Sequence, residues 1–432
     1  MPVDDTIFAL SSGALPAAIA ILRISGPHAG GALTALAGTL PVPREATLRK
    51  LRAREDGGLL DEALTLWFPG PHSATGEDLA ELHCHGGRAV VRAIERELAM
   101  LPGLRAAEPG EFTRRAFANG RIDLAQAEGL SDLLFAETEG QRRMAAQLAG
   151  GMLSRQVEGW QTRLLGFAAR AEAMLDFADE DDVGAADLPA LKCGCDALVQ
   201  DMETLLSLPR TERLRDGIRV VLAGPPNSGK STLFNALAER EAAIVSEIAG
   251  TTRDIIEVPV AIGGTAFLVS DTAGLHDDSD DPIEAIGIAR ALAALEAADI
   301  ILWLGDEGAF ASGDVPLIEV AARSDHAEFR AKSEAAISVS AQTGAGLNSV
   351  IARLLGLAQT LLPPPDSVAL NARQAAHVGQ AAACISSARD ADDPLIIAEE
   401  LRLARVAIDA LTGRAGTEDM FDALFGKFCI GK

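Results

Sequence analysis

The stretch "IRVVLAGPPNSGKSTLFNALAER" constrains this chain more than any other. A β-branched apolar run reads as a buried strand, the Gly- and Pro-bearing stretch after it as a turn, and the segment from near Lys230 as a helix. Between strand and helix stands Gly224-x-x-x-x-Gly229-Lys230-Ser231. That spacing lets backbone N–H groups surround phosphates, places Lys230 to neutralise β and γ oxygens, and presents the Ser231 hydroxyl to a magnesium ion. Asn227, Ser228, Gly229, Lys230, Ser231 and Thr232 are the candidate nucleotide contacts of this loop.

Two later stretches, in the right order, turn a phosphate loop into a switch GTPase. "IAGTTRD" offers Thr252 as a second hydroxyl ligand of magnesium. "FLVSDTAGL" ends a strand in Asp271, which would hold the metal through water, and continues through Thr272 and Ala273 to Gly274 beside the γ-phosphate. The metal needs one ligand from the loop, one from a switch, and an acid at a strand end.

Base recognition departs from the usual Asn-Lys-x-Asp. After "DVPLIEV" the chain reads Ala322-Arg323-Ser324-Asp325, which keeps the carboxylate that accepts both N–H donors of guanine but replaces the Asn and the Lys. "SVSAQTG" supplies Ser340 and Ala341, whose backbone can meet the guanine O6. GTP is expected over ATP, with affinity lowered by about 1–3 kcal/mol for a lost hydrogen bond. Leu275 occupies the position of a water-orienting Gln, so another group must do that work. Glu284, at the end of the acidic run "HDDSDDPIEAIG", is one candidate, the other reading of that run being a solvated switch. The amide oxygen of Asn227 could help hold a monovalent cation, or the residue could serve only the turn.

Composition excludes several classes. A formal charge of −24 argues against a general nucleic-acid binder, so any RNA contact must be local or borrowed from a partner. No run of about 18 uncharged apolar residues and no charged-then-apolar leader is seen, which predicts no membrane span, no secretion signal and a cytoplasmic protein. Five scattered cysteines fit a reducing compartment, and the Cys193-x-Cys195 pair lacks neighbours to complete a zinc site. The closing "FCIGK" does not fit a prenylation signal, since Gly431 takes an aliphatic slot and no basic cluster precedes it.

The flanks carry a more specific signal. "DTIFALSSGALPAAIAILRISGP", "WFPGPHSATGEDLAELHCHGG", "PGEFTRRAFANGRIDLAQAEGLSDLL", the GTPase motifs and "TEDMFDALFGKFCIGK" together resemble the tRNA-modification GTPase family called MnmE or TrmE, in that family's order from Asp5 to Lys432. The resemblance implies a homodimeric GTPase that acts with an FAD-containing partner, MnmG, in a heterotetramer. Together they add an aminomethyl or carboxymethylaminomethyl group to carbon 5 of the wobble uridine (U34) of certain tRNAs. A tetrahydrofolate derivative supplies the carbon, and the partner carries the flavin and much of the tRNA contact.

Carried over by motif position, Arg23, Glu81, Arg121 and Lys432 are the implied folate contacts, Arg121 standing where the family commonly has Lys. Cys429 is implied at the modification site, its chemical role open. Asn227, Ser246, Ile248 and Thr251 are implied around a K⁺ ion that takes the place of an arginine finger, with Glu247, Ala249 and Gly250 in the same switch loop, and Glu284 becomes the implied water-orienting residue.

The expected fold is multidomain α/β. Residues 1–118 read as an α+β, folate-binding and dimer-forming domain, 119–213 as the first part of a helical domain, 214–362 as an inserted P-loop (Ras-like) GTPase domain with a parallel sheet, and 363–432 as the second helical part. "LLPPPDS" breaks helicity after the GTPase segment. Alternatives are a ribosome-assembly GTPase, which should append a basic module, a folate-dependent aminomethyltransferase with a regulatory GTPase domain, and a GTP-binding scaffold that Leu275 would allow.

Overall fold

The structure, a computed structural model, describes residues 5–176, 184–240, 257–271, 292–310, 313–327, 329, 331–333, 336–414, 424–426, 428 and 431. The chain divides into two compact units, Met1–Ser131 with Asp409–Lys432, and Asp132–Ile408. No described helix is long and apolar enough to cross a membrane.

The first unit holds strands β1 (Thr6–Leu10), β2 (Ala17–Ser25), β3 (Thr47–Arg52), β4 (Leu59–Phe68), β5 (Leu79–Gly86) and β6 (Leu104–Ala106), with helices α1 (Ala29–Ala37), α2 (Arg88–Ala99) and α3 (Glu111–Ala118). The sheet order is β3-β4-β5-β2-β1-β6, antiparallel except for the β1–β6 pair. Period-two alternation gives β5 two characters. Ala80, Leu82 and Cys84 enter the core, while Glu81 and His83 point to the other face. In α2, Val91, Ile94 and Leu98 at helical spacing join that core and Arg88, Arg92 and Arg96 stay exposed. Burying a side chain such as Ile94 stabilises by about 1.5–3 kcal/mol.

The carboxyl-terminal segment belongs to this unit. Phe425 and Phe428 are buried, and the Phe425 ring lies 6.0 Å from Phe117. Gly110 has φ +70°, and a Cβ there would collide with the Phe425 carbonyl. Ser11 Oγ donates to the Gly431 carbonyl at 2.7 Å.

The second unit contains helices α5 (Glu139–Ala149), α6 (Met152–Asp176), α7 (Gly184–Leu206) and α8 (Glu212–Asp216), which follow α4 (Leu124–Leu134). Thr138 and Gln141 close a capping box at the start of α5, each side chain meeting the other's backbone N–H, a device that stabilises a helix start by about 1 kcal/mol. A second sheet follows, of β7 (Ile218–Ala223), β8 (Glu257–Ile262), β9 (Thr265–Asp271), β10 (Ile300–Trp303), β11 (Leu317–Ala322) and β12 (Ile337–Val339), with α9 (Lys230–Arg240) and α10 (Leu347–Leu361). Its order is β12-β11-β10-β7-β9-β8.

The sheet is not wholly parallel as expected, because β8 runs antiparallel to β9. Gly263 and Gly264 make the turn with φ +56° and +79°, the left-handed pair that a tight two-residue hairpin demands. Beyond α10 come Pro363–Pro365, then α11 (Ala372–Asp390), opened by an Asn371–Gln374 capping box and packed along α7, and α12 (Pro394–Leu411).

Candidate functional site

In the second unit, β7 lies between β9 and β10, and the carboxyl ends of the parallel strands gather the polar residues on one edge. Register places Asp271, the last residue of β9, opposite Leu222 of β7, two residues before Gly224. Register likewise pairs Ala322 with Val339, so the segment from Arg323 and the one from Ser340 leave the sheet side by side.

The loop after β7 is shaped by backbone that few residues adopt. Gly224, Asn227 and Gly229 have φ +151°, +60° and +98°. A Cβ on Gly224 would stand 3.1 Å from the Gly305 nitrogen. Lys230 begins α9, is buried, and donates from Nζ to the carbonyls of Gly224 and Pro225 at 2.9 Å each. Burial pushes its pKa down, and the nearby Asp271 charge offsets this in part. A buried ammonium hydrogen-bonded to neutral carbonyls gains from an arriving anion.

Ser231 Oγ donates to Asp271 Oδ2 at 2.6 Å, while Asp271 Oδ1 and Ser228 Oγ are buried with no hydrogen-bond partner among the described residues. These orphaned oxygens sit beside the loop that would receive phosphates. A hydroxyl and a carboxylate are the hard oxygen donors that magnesium prefers, so the residues present fit a Mg²⁺–nucleotide.

Next to the loop is a cavity of about 300 Å³ whose lining includes Gly229, Thr232, Arg323, Asp325, His326 and Ala341. Ser340 is buried, accepts from the Thr343 N–H at 3.1 Å, and hydrogen-bonds the Asp325 carboxylate, which holds that carboxyl below its usual pKa. Ser324 N donates to the Val339 carbonyl at 3.0 Å and ties the two segments together. An ionised, oriented carboxylate at the far side of a base-sized cavity can accept two N–H donors from one heterocycle edge.

Of the sequence candidates for nucleotide and metal, Asn227, Ser228, Gly229, Lys230, Ser231, Thr232, Asp271, Asp325, Ser340 and Ala341 stand along this one edge. Ser246, Glu247, Ile248, Ala249, Gly250, Thr251, Thr252, Thr272, Ala273, Gly274 and Glu284 lie outside the described residues. Arg323 and His326 line the cavity; the sequence places Arg323 in the base-recognition stretch, where it replaces the Lys, whereas it offers no role for His326. For His326, its place directly after Asp325 was the available signal.

In the first unit, Arg23 on β2 stands in register with Glu81 on β5 and donates to its Oε1 from Nε at 3.1 Å and Nη2 at 2.9 Å. His83 Nε2 lies 3.2 Å from the other Glu81 oxygen, and the Arg23 guanidinium sits 5.8 Å from the Phe112 ring centre. His83 was missed as a candidate, although its place two residues after Glu81 puts it on the same strand face. Arg121 is exposed along the loop of Gly76, with no hydrogen bond to the Arg23–Glu81 pair among the described residues. A guanidinium, a carboxylate and an imidazole over an aromatic ring can meet a planar ligand with amide-like edges and carboxylates, which fits a folate.

Cys429 and Lys432 lie outside the described residues, and their neighbour Gly431 is seated on Leu10 and Ser11, just beyond Ala9, the register partner of Arg23. Cys84, by contrast, is buried, donates to the Ala20 carbonyl, and has its thiol pushed up to about 11 by burial, which removes it as a nucleophile.

Comparison with known proteins bears on both units. Residues 6–121 match the family model of the GTP-binding protein TrmE N-terminus, and residues 124–429 that of the MnmE helical domain. A tRNA modification GTPase MnmE from Erythrobacter litoralis is 59% identical over 99% of this chain and 100% of its own length. Those from Novosphingobium aromaticivorans and Rhizorhabdus wittichii are 56% and 58% identical, covering 100% and 99% of this chain and 100% and 97% of their own.

Proposed function

This chain belongs to the MnmE family of tRNA modification GTPases, and we propose that it is a potassium-activated GTPase working with an FAD-containing partner of the MnmG type on the wobble uridine of certain tRNAs. It hydrolyses GTP in the service of tRNA modification. The observation that carries the nucleotide reading is Asp325, oriented by Ser340 across a cavity from the loop of Lys230.

In this reading the loop from Asn227 to Thr232 binds the phosphates and Lys230 exchanges its two carbonyl partners for phosphate oxygens. Ser231 and Thr252 would hold Mg²⁺, with Asp271 acting through water, and the ion supplies charge neutralisation at the β and γ oxygens. Asn227, Ser246, Ile248 and Thr251 would hold K⁺, which supplies the charge of an arginine finger. Glu284 orients the attacking water. Asp325 accepts the guanine N–H donors, and the backbone at Ser340 and Ala341 meets its O6.

The first unit is proposed as the folate-binding and dimer-forming part. Arg23, Glu81, Arg121 and Lys432 bind a tetrahydrofolate derivative, and Cys429 acts where its carbon joins carbon 5 of the uridine as an aminomethyl or carboxymethylaminomethyl group. The flavin and much of the tRNA contact fall to the partner, which suits a chain of net charge −24, and the complex is cytoplasmic. The boundaries proposed for the parts are 1–118, 119–213, 214–362 and 363–432.

The test is steady-state GTP hydrolysis by the purified full chain in KCl against NaCl, with ATP as control. Strong stimulation by potassium, selective for GTP, is expected. Turnover indifferent to the cation, or equal with ATP, would remove the potassium and guanine readings.

A further inference from the structure

Helix α2 carries a row of arginines that neither site above uses. Arg88, Arg92 and Arg96 recur at every fourth residue and all are exposed, while Val91, Ile94 and Leu98 enter the core. Steps of four residues set the arginines on one face, about 6 Å apart along the axis. The other exposed positions of the helix are Ala89 and Ala99. The ridge therefore consists of guanidinium groups with only methyls beside them.

Its charge is little cancelled. Arg88 donates from Nε and Nη2 to the Leu15 carbonyl at 3.3 and 3.1 Å, a neutral acceptor that fixes the side chain and leaves its charge. Arg92 interacts with Glu95, a half-buried carboxyl whose pKa burial pushes up against the pull of that arginine. Glu97 is buried and accepts the Arg54 N–H at 3.1 Å. Local rules do not explain the row, because Gly87 offers α2 no side-chain cap, the first turn holds no acid, and Arg88 stands there against the helix dipole. Most of the acidic excess of the chain falls in the second unit, and this face of the first unit is an exception to a net charge of −24.

A protein partner would need an apolar anchor at the centre of such a patch, where α2 has only alanine. A phosphate backbone needs only fixed cations, and a guanidinium meets phosphate oxygens two at a time. We infer that Arg88, Arg92 and Arg96 of α2 form this chain's own contact with the phosphate backbone of tRNA, a surface that positions the RNA without reading its sequence. This rests on the tRNA-modification reading above and adds the local surface that an acidic chain must supply.

The test is fluorescence anisotropy of a labelled, unmodified tRNA titrated with the full chain in KCl from about 50 to about 200 mM. Wild type is compared with a ridge variant carrying Arg88→Gln, Arg92→Gln and Arg96→Gln, and with the same three positions changed to Lys. A control loses three exposed arginines of the second unit through Arg142→Gln, Arg353→Gln and Arg402→Gln. The ridge variant should bind about tenfold more weakly at the lowest salt, and its plot of log affinity against log salt should be shallower by about 2. The Lys variant should keep the wild-type slope because it keeps the charge. The control should bind as wild type does, and the ridge variant should keep its melting temperature and GTP turnover. The inference is overturned if the ridge variant binds tRNA within about twofold of wild type, or if the control loses as much. It is also overturned if tRNA modification fails in the ridge variant while tRNA binding persists, which would assign the ridge to an acidic protein partner. A wild-type chain that binds no tRNA at the lowest salt is a different failure, that of any tRNA contact by this chain, and it would remove the inference as well.

Discussion

Ser231 and Asp271, forty residues apart, meet in a 2.6 Å hydrogen bond that joins the phosphate loop to the end of β9. The second Asp271 oxygen is buried and has no hydrogen-bond partner among the described residues, which leaves it open to a water or a ligand. Ser231→Ala should lower Mg²⁺-dependent GTP hydrolysis by about a hundredfold, the cost of losing one preorganised contact to the transition state. Melting temperature should stay near wild type. Measuring turnover across a magnesium titration checks this, and a variant restored at high Mg²⁺ would show a weak binding defect instead.

Glu284→Ala separates binding from hydrolysis. Leu275 cannot orient water, and Glu284 follows an acidic run in "IEAIG". GDP affinity should be unchanged and turnover lost by a factor of about 10²–10⁴, the range for a positioned acid or base. Unchanged turnover would exclude Glu284.

Arg115 anchors the first unit. It is buried and ion-paired to Asp5 at 2.7 Å, Glu111 at 3.0 Å and Glu77 at 3.2 Å. Burial opposes the charged forms of Asp5 and Glu111, yet hydrogen bonds from Arg105 and Arg115 outweigh it and hold both carboxyls below their usual range. Depressed carboxyl values mean stability that is present above the unfolded pKa of about 4 and lost as pH falls through the folded values. The first unit should therefore melt at constant temperature from neutrality to about pH 5 and lose stability below about pH 4. Arg115→Met leaves Glu77 without its cation, while Asp5 and Glu111 keep Arg105, and should cost about 3–5 kcal/mol at pH 7. Thermal melts against pH for both proteins test it.

The tail should be separable from hydrolysis. Gly431 has φ +94°, and a Cβ there would collide with the Leu10 carbonyl. Gly431→Ala should unseat the carboxyl terminus, and Cys429→Ser should remove a thiol at the proposed modification site. Both variants should abolish tRNA modification while potassium-stimulated GTPase activity persists. A fully modified tRNA pool in the cysteine variant would exclude a chemical role for that thiol.

The nucleotide site was largely legible in the chain because its chemistry is local. The phosphate loop is eight consecutive residues from Gly224 to Ser231, and Asp271 is marked by the strand it ends. Asp325 could be found by its carboxylate alone. Less legible were residues whose meaning depends on a partner far along the chain. Arg23 reaches Glu81, 58 residues on, only through the register of β2 against β5, whereas His83 meets Glu81 through local alternation along β5. The antiparallel β8 was signalled by Gly263-Gly264, a turn signature overlooked in favour of a uniform parallel sheet.

Family membership, the phosphate loop and the order of the motifs are properties of the linear chain, since each is carried by contiguous residues whose spacing imposes the backbone it needs. Tertiary structure alone decided that Ser340 orients Asp325, that Arg323 lies against Gly229 in a left-handed conformation, and that Gly431 is seated on Leu10. Those are contacts between segments brought together by strand register and core packing, and no local spacing encodes them.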